Sequence, residues 1–266
     1  MLRRFVLIIL ALTFATPVGA AWYADIWYNP DESGWGVQVV QSSTFQFVTF
    51  FIYGADGRPT WYTAQLTEDA DGNFNGPLYA TTGAYFASPW NPAQLTVTTA
   101  GTASFRPSGA YRATLVYALT GGPTVTKEIQ RQTLTPMVLA GNYSGSISGS
   151  VTGCTNPADN KSAIRGRFNL TIAQVGEQSA TLTFSFVDDT YKGMVCTMSG
   201  PLTHFGSLYR IGGAQYSCTG QGITPGMTSA NLERLYPMQQ GIQGVWNASA
   251  GGCTQTIHFA AVGDWS

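Results

Sequence analysis

Apolar and polar residues alternate with a period of two along much of this chain, and glycine-rich turns separate the alternating runs. The clearest runs place apolar side chains at every second position, at Phe168, Leu170, Ile172 and at Leu182, Phe184, Phe186. Successive side chains of a strand point to opposite faces, so this pattern predicts half-buried β-strands. The first half has no stretch of convincing helical periodicity. The pattern therefore predicts an all-β protein with two antiparallel β-domains.

Residues 22–135 are predicted to form the first domain. Nine β-rich segments are expected to form about eight short strands. They lie at 22–28, 36–41, 44–53, 60–67, 77–82, 94–99, 102–106, 111–119 and 125–134. The Asp56-Gly57 pair between two β-rich runs predicts a tight hairpin. Residues 83–92 contain two prolines and Trp90, and they predict a packed loop. Short strands joined by hairpins indicate an up-and-down, barrel-like sheet.

A second domain is predicted at 136–266, beyond a boundary at Thr135-Pro136 where aromatic residues become fewer. Strands are expected near 167–172, 181–186, 194–202, 208–218, 244–248 and 254–261. Residues 228–236 begin at an Asn/Ser/Thr-rich cap and predict a short helix. These elements predict a second antiparallel domain, either a barrel or a sandwich.

Residues 1–21 have the pattern of a signal peptide. Arg3 and Arg4 precede a short apolar core at 5–14, and Val18-Gly19-Ala20 offers small residues for cleavage. The apolar run is shorter than the about 20 residues that a membrane helix needs. We therefore expect Sec-dependent export to the periplasm or the exterior, and a mature chain without a transmembrane span.

All four cysteines lie in the second half, and their even number in an exported chain predicts two disulfides. Three pairings are possible. The separation of Cys196 and Cys218 fits adjacent strands, and a Cys154–Cys253 bond would join the ends of the domain. This pairing is the favoured one.

The charge and the residue content argue against nucleic acid, cofactors and metal ions as partners. Two of the 13 basic residues lie in the signal peptide, which leaves 11 against 14 acidic residues and a net charge of −3. Without a basic stripe, nucleic acid is not an expected partner. No cofactor or metal is expected either, because His204 and His258 stand far apart and residues 68–73 lack the calcium-loop pattern.

Two segments of the first half carry a specific signature. The first reads N-P-D-E-S-G-W-G at 29–36, and the second reads Y-G-A-D-G-R-P-T-W-Y at 53–62. They resemble a group of uncharacterised exported bacterial proteins with an N-P-x-E-S-G-W-G signature and a Y-x-A-D-G-x-P-x-W-Y hairpin. The resemblance covers residues 22–135. It implies export, an all-β module and a bacterial source, but no activity, ligand or catalytic residue.

The aromatic and acidic residues around this signature form the candidate ligand site. It comprises Trp27, Asp31, Glu32, Trp35, Trp61 and Tyr62. Aromatic faces stack on sugars or apolar ligands, and carboxylates accept hydrogen bonds. We therefore expect an exported, non-enzymatic binding or interaction protein. Its partner would be a small molecule, a glycan or an envelope protein, with carbohydrate and small apolar molecules as the candidate ligands.

Two other functions remain open. A hydrolase of extracellular or cell-wall polymers would use Glu32 or Asp31 as acid/base, with a second carboxyl group about 5–10 Å away. A purely structural envelope protein would bury the tryptophans in its core and use the two acids as acceptors for backbone amides of the turn. An open cavity at Trp35 and Trp61 would favour binding, whereas burial of both would favour the structural role.

Overall fold

The computed structural model describes residues 22–134, 137–220, 227–238, 240–250 and 252–263, which form two closed antiparallel barrels of eight strands each. In the first barrel every strand pairs with the next, and β8 pairs back with β1. Its strands are β1 (Asp25–Tyr28), β2 (Gly36–Ser42), β3 (Phe45–Tyr53), β4 (Pro59–Glu68), β5 (Phe74–Thr82), β6 (Thr96–Pro107), β7 (Arg112–Leu119) and β8 (Thr124–Arg131).

The second barrel has the same connectivity, and β16 closes it by pairing with β9. Its strands are β9 (Gly141–Thr152), β10 (Lys161–Val175), β11 (Ser179–Phe186), β12 (Val195–Phe205), β13 (Leu208–Thr219), β14 (Met227–Met238), β15 (Gly241–Ala250) and β16 (Cys253–Gly263). Single 3-10 turns occur at Pro92–Gln94 and Pro157–Asp159. No helix of the described residues is long and apolar enough to cross a membrane.

The apolar side chains of the predicted alternating pattern fill both barrel interiors. In β3, Val48 and Phe50 point inward and are fully buried, while Phe47 and Phe51 point outward. In the second barrel, Phe168 of β10 packs against Phe184 and Phe259 at ring-centroid distances of 5.1 and 6.2 Å. Each barrel therefore has its own apolar core.

Glycines at two positions let strands approach closely. A Cβ on Gly145 of β9 would overlap the carbonyl oxygen of Ala260, and a Cβ on Gly101 of β6 would overlap that of Ala118. Gly101 lies inside the continuous strand β6. The sequence had predicted two separate strands here, at 94–99 and 102–106. The Gly/Ser-rich segment 141–152 likewise forms a full strand.

Both disulfides of the favoured pairing are present, Cys154–Cys253 and Cys196–Cys218. Cys196 and Cys218 are direct partners in the β12–β13 register, which confirms that their separation fits adjacent strands. Cys154 follows β9 and Cys253 begins β16, so the other bond ties together the two strands that close the barrel. Both bonds lie at the same end of the second barrel.

A buried arginine organises the junction between the barrels. Arg131 donates to Asp25 Oδ2 at 3.0 Å and to the carbonyl oxygens of Trp22 and Ala110 at 2.6 and 2.8 Å. The same Asp25 oxygen accepts the amide and the hydroxyl of Ser207 in the β12–β13 turn, both at 2.9 Å. One carboxylate thus links the first strand of one barrel to a turn of the other.

Two predictions about local structure are wrong. Residues 228–236 lie in strand β14 and not in a helix. The loop at 83–92 is exposed instead of packed, since Tyr85, Phe86 and Trp90 all project into solvent. The predicted signal peptide and the predicted boundary at Thr135-Pro136 lie outside the described residues.

Candidate functional site

The turn between β1 and β2 is held by Asn29. Its side-chain Oδ1 accepts the amide of Asp31 at 2.9 Å, and its carbonyl oxygen accepts the amide of Glu32 at 3.1 Å. The expectation that Asp31 and Glu32 would accept the backbone amides of this turn is therefore corrected. Asn29 performs that task, as asparagine does in many tight turns.

Glu32 faces the end of the first barrel. Its Oε2 accepts from Lys127 Nζ at 2.6 Å and from the indole Nε1 of Trp35 at 3.1 Å. Lys127 Nζ also lies 5.8 Å from the centroid of the Trp35 ring. The hydrogen bond from Lys127 lowers the pKa of Glu32 below its ordinary value. Glu32 is therefore held as a carboxylate, which does not suit a general acid.

The structure separates the predicted site residues into different environments. Trp27 is fully buried, donates to the Tyr23 carbonyl oxygen at 2.9 Å and lies under the Arg131 guanidinium. Trp61 is half exposed on the outer face of β4. Glu32 and Trp35 are joined by a hydrogen bond.

Tyr62 and Asp31 complete the set. Tyr62 faces inward and packs on the core at the same end of the first barrel as Lys127. Asp31 is exposed in the turn. A groove of about 340 Å³ runs along the outside of β1 and β2, and its walls include Tyr28, Trp35 and Phe51. Trp35 is therefore the predicted residue that borders an open space, and Glu32 does not line it.

The second barrel contains an apolar cavity of about 240 Å³. Its inner wall is made of inward-facing core residues of six strands, and half-buried side chains complete the lining. The lining comprises Ile147, Ile164, Phe186, Tyr191, Met194, Cys196, Tyr216, Cys218, Trp246, Gln255 and Ile257. It lies at the disulfide-bearing end of the barrel, away from the junction with the first barrel.

Two buried residues of this lining carry polar groups. The indole Nε1 of Trp246, a residue only 2% exposed, makes no hydrogen bond with the described residues. The Tyr216 hydroxyl lies 3.2 Å from Cys218 Sγ and must be the donor, because a disulfide sulfur carries no proton. Burial raises the pKa of Tyr216 to about 12. The nearby Trp246 side chain lowers the pKa of Tyr216 in part, although Trp246 Nε1 does not meet the geometry of a hydrogen bond.

A third and more polar crevice of about 520 Å³ lies where the barrels meet. Glu233 occupies both of its carboxylate oxygens there, with Arg210 Nε and the Tyr111 hydroxyl at 2.8 Å each. Arg234 and His258 also line the crevice. These contacts reinforce the junction, and Tyr111 further packs on Phe205 with ring centroids 4.7 Å apart.

No group of three or more His, Cys, Asp or Glu side chains in the described ranges is arranged to hold a metal ion. The chain matches no known protein-family model. A comparison with curated proteins likewise found no match.

Sequence reasoning did not identify the cavity of the second barrel. The usable signal was the spacing of Tyr216 and Cys218, which places both side chains on one face of a strand. Because Cys196 pairs with Cys218, that face points into the barrel. The approach of Trp246 from β15 depends on the barrel closure and has no local signature.

Proposed function

We propose that this protein is an exported, non-enzymatic binding protein whose second barrel holds a small, largely apolar molecule. The observation that carries this proposal is the apolar cavity with the unpartnered indole N–H of Trp246. Small eight-stranded barrels either fill their interior with side chains or hold one small ligand. This barrel leaves a space at one end.

The size of the cavity limits the ligand. An apolar protein cavity of about 150 Å³ stays dry and binds benzene. The cavity here is about 240 Å³, which favours a ligand somewhat larger than one aromatic ring. A long acyl chain or an oligosaccharide would not fit, so the small apolar molecule is preferred over carbohydrate for this site.

The polar groups define the expected functional group on the ligand. A buried donor without a partner costs about 1–3 kcal/mol. A ligand with a carbonyl or ether oxygen would accept from Trp246 Nε1 and recover that cost. The Tyr216 proton is already directed at Cys218, whereas Trp246 Nε1 is a buried donor of the described lining that has no partner. The ligand class is therefore a compact ring-bearing molecule with one acceptor.

The disulfides support both the site and its compartment. Cys196 and Cys218 form part of the cavity wall, and Cys154–Cys253 joins the strands next to it. Both bonds restrict opening of this end of the barrel. Disulfides persist in oxidising compartments, which supports export by the predicted signal peptide to the periplasm or the exterior.

The first barrel contributes less to this proposal. The contacts of Glu32 with Lys127 and Trp35 support a structural role for the signature turn, in place of hydrolysis. We retain membership in the group of exported bacterial proteins as part of the proposal, because the Asn29, Glu32 and Trp35 positions of the signature all take part in this turn.

A matched pair of ligands tests the proposal. Acetophenone offers a carbonyl oxygen, and isopropylbenzene has nearly the same shape without an acceptor. Ligand-observed NMR with the purified chain should detect saturable binding of both, with acetophenone the tighter. In Trp246→Phe, acetophenone should lose about 0.5–1.5 kcal/mol of affinity, the net value of one hydrogen bond, whereas isopropylbenzene should not.

Trp61→Phe, on the outside of the first barrel, is the control and should leave both affinities unchanged. If neither compound binds, or if filling the cavity by Ile257→Phe in a folded variant leaves binding unchanged, this cavity is not the site.

A further inference from the structure

We propose that the outer face of β2, β3 and β4 is the surface through which two copies of this chain associate. We call it the apolar face and define it by its exposed large side chains, Val40, Phe45, Phe47, Phe51, Tyr53 and Trp61. The proposal concerns the first barrel and does not depend on a ligand in the second.

The strand register places these side chains on one face of the sheet, in two groups on either side of the polar pair Thr49 and Thr63. Phe51 lies opposite Trp61, and Phe47 lies opposite Val40. Cross-strand neighbours have Cβ atoms about 4.5–5.5 Å apart, so each pair is in contact on the same face. The surface runs from Phe45 near one end of the barrel to Tyr53 at the other.

Strand β3 has the composition of a strand covered on both sides. Val48 and Phe50 fill the barrel interior, yet Phe47 and Phe51 on the opposite face are also apolar. Strands buried on both faces appear as nearly continuous hydrophobic runs, whereas a strand with one wet face alternates with polar residues. The sequence F-Q-F-V-T-F-F-I-Y of β3 is of the first kind. Its outer face is therefore suited to a second apolar layer.

The absence of charge is compatible with a second copy as the occupant. The only charged residue in β2, β3 and β4 is Glu68, at the last position of β4. It lies two positions after Leu66 and therefore on the inward-facing side of the strand. A two-fold interface places the same patch on both sides, so like charges would oppose one another. An uncharged face avoids this repulsion and needs no complementary partner charge.

The size of the surface also fits a dimer. The five aromatic side chains of the apolar face are each between 38% and 55% exposed. Taking about 200 Å² for one aromatic side chain, they expose roughly 500 Å². A standard interface buries about 800 Å² per partner, of which about 56–65% is apolar. The exposed aromatic area therefore matches the apolar share of such an interface.

The hairpin tip distinguishes a protein partner from a bilayer. Asp56 and Arg58 lie directly beyond Tyr53, and both side chains are largely exposed. A bilayer covering the Tyr53 end would take these charges out of water, which is costly. In a sheet-to-sheet interface they remain at the polar rim.

The test is the mass of the purified chain in solution, measured by light scattering after size-exclusion chromatography. The wild type should be a dimer at micromolar concentration. Trp61→Glu would bury one carboxylate from each protomer in the interface. It should raise the dissociation constant of the dimer at least tenfold. Thr126→Glu places the same charge on the outer face of β8, which β1 separates from the apolar face, and should leave the dimer intact.

A cross-linking measurement covers the case in which Trp61→Glu does not fold. Thr63→Cys lies within the apolar face opposite Thr49 and should form a disulfide-linked dimer on oxidation, whereas Thr126→Cys should not. A monomeric wild type overturns the proposal. The proposal is also overturned if Trp61→Glu and Thr126→Glu weaken dimer formation equally. It is overturned as well if the chain stays monomeric and binds to phosphatidylcholine vesicles.

Discussion

Lys127 Nζ lies 2.6 Å from Glu32 Oε2, an ion pair between residues 95 positions apart in the chain. It joins the turn after β1 to the inward-facing side of β8. The same carboxylate oxygen accepts the Trp35 indole, so one group fixes both the strand end and the aromatic ring.

Replacement of Glu32 by Gln should lower the free energy of unfolding at neutral pH. This difference from the wild type should disappear in acid. Lys127 lowers the folded-state pKa of Glu32, so its contribution is present above the ordinary value of 4.5 and is lost as the pH falls through the folded value. Urea unfolding of both proteins across this range, followed by tryptophan fluorescence, measures the difference. Asp31→Asn is the exposed control. A difference between wild type and Glu32→Gln that does not change with pH would contradict the ion pair.

Replacement of Arg131 by Met should destabilise the protein severely. Arg131 is 1% exposed, and its loss leaves the Asp25 carboxylate without its charge partner and removes the guanidinium donor from the carbonyl oxygens of Trp22 and Ala110. Removal of one partner of a buried ion pair costs about 3–5 kcal/mol. Denaturant unfolding checks the value. Arg112→Met, exposed on β7, should cost much less; equal costs would show that the Arg131 network contributes little.

The two disulfides should differ in their effect on stability. Cys196–Cys218 spans 22 residues and Cys154–Cys253 spans 99. By loop entropy, their removal should cost about 3.4 and 4.7 kcal/mol, respectively. Unfolding of the paired Cys→Ser variants measures both. The reverse order would indicate that the native contacts near Cys196, and not the closed loop, dominate.

Replacement of Tyr216 by Phe should protect the protein against alkali. Burial raises the folded-state pKa to about 12 from the ordinary 10, so the stabilisation is complete below pH 10 and is lost as the pH rises towards 12. The loss amounts to at most about 3 kcal/mol for two pKa units. Unfolding free energies on both sides of pH 10 test this, with exposed Tyr85→Phe as the control. Identical alkaline losses in wild type and Tyr216→Phe would disprove the assignment.

The wrong helix prediction at 228–236 has a specific structural cause. Leu232 and Leu235 are three residues apart, a helical spacing, yet both are fully buried inside the barrel. The register of β14 against β15 shifts between Glu233 and Tyr236, and Arg234 there adopts a positive φ of 53°. This irregularity inserts an extra residue, so two inward positions fall three apart. A strand with a bulge thus has the apolar spacing of a helix.

The sequence by itself determined what short-range chemistry controls. Alternation with a period of two predicted the all-β class, and hairpin turns predicted the antiparallel order of strands. The short separation of Cys196 and Cys218 favoured their bond. These features depend on residues near each other in the chain, where side-chain direction follows directly from position.

Only the tertiary structure decided which distant residues meet. The Glu32–Lys127 pair, the Asp25–Ser207 contact and the approach of Trp246 to Tyr216 all depend on how each sheet closes on itself. Closure also decided that Trp27 is core while Trp61 is surface, although both belong to aromatic strands. Burial is set by the number of strands and their register around the barrel, and no local pattern of residues specifies either.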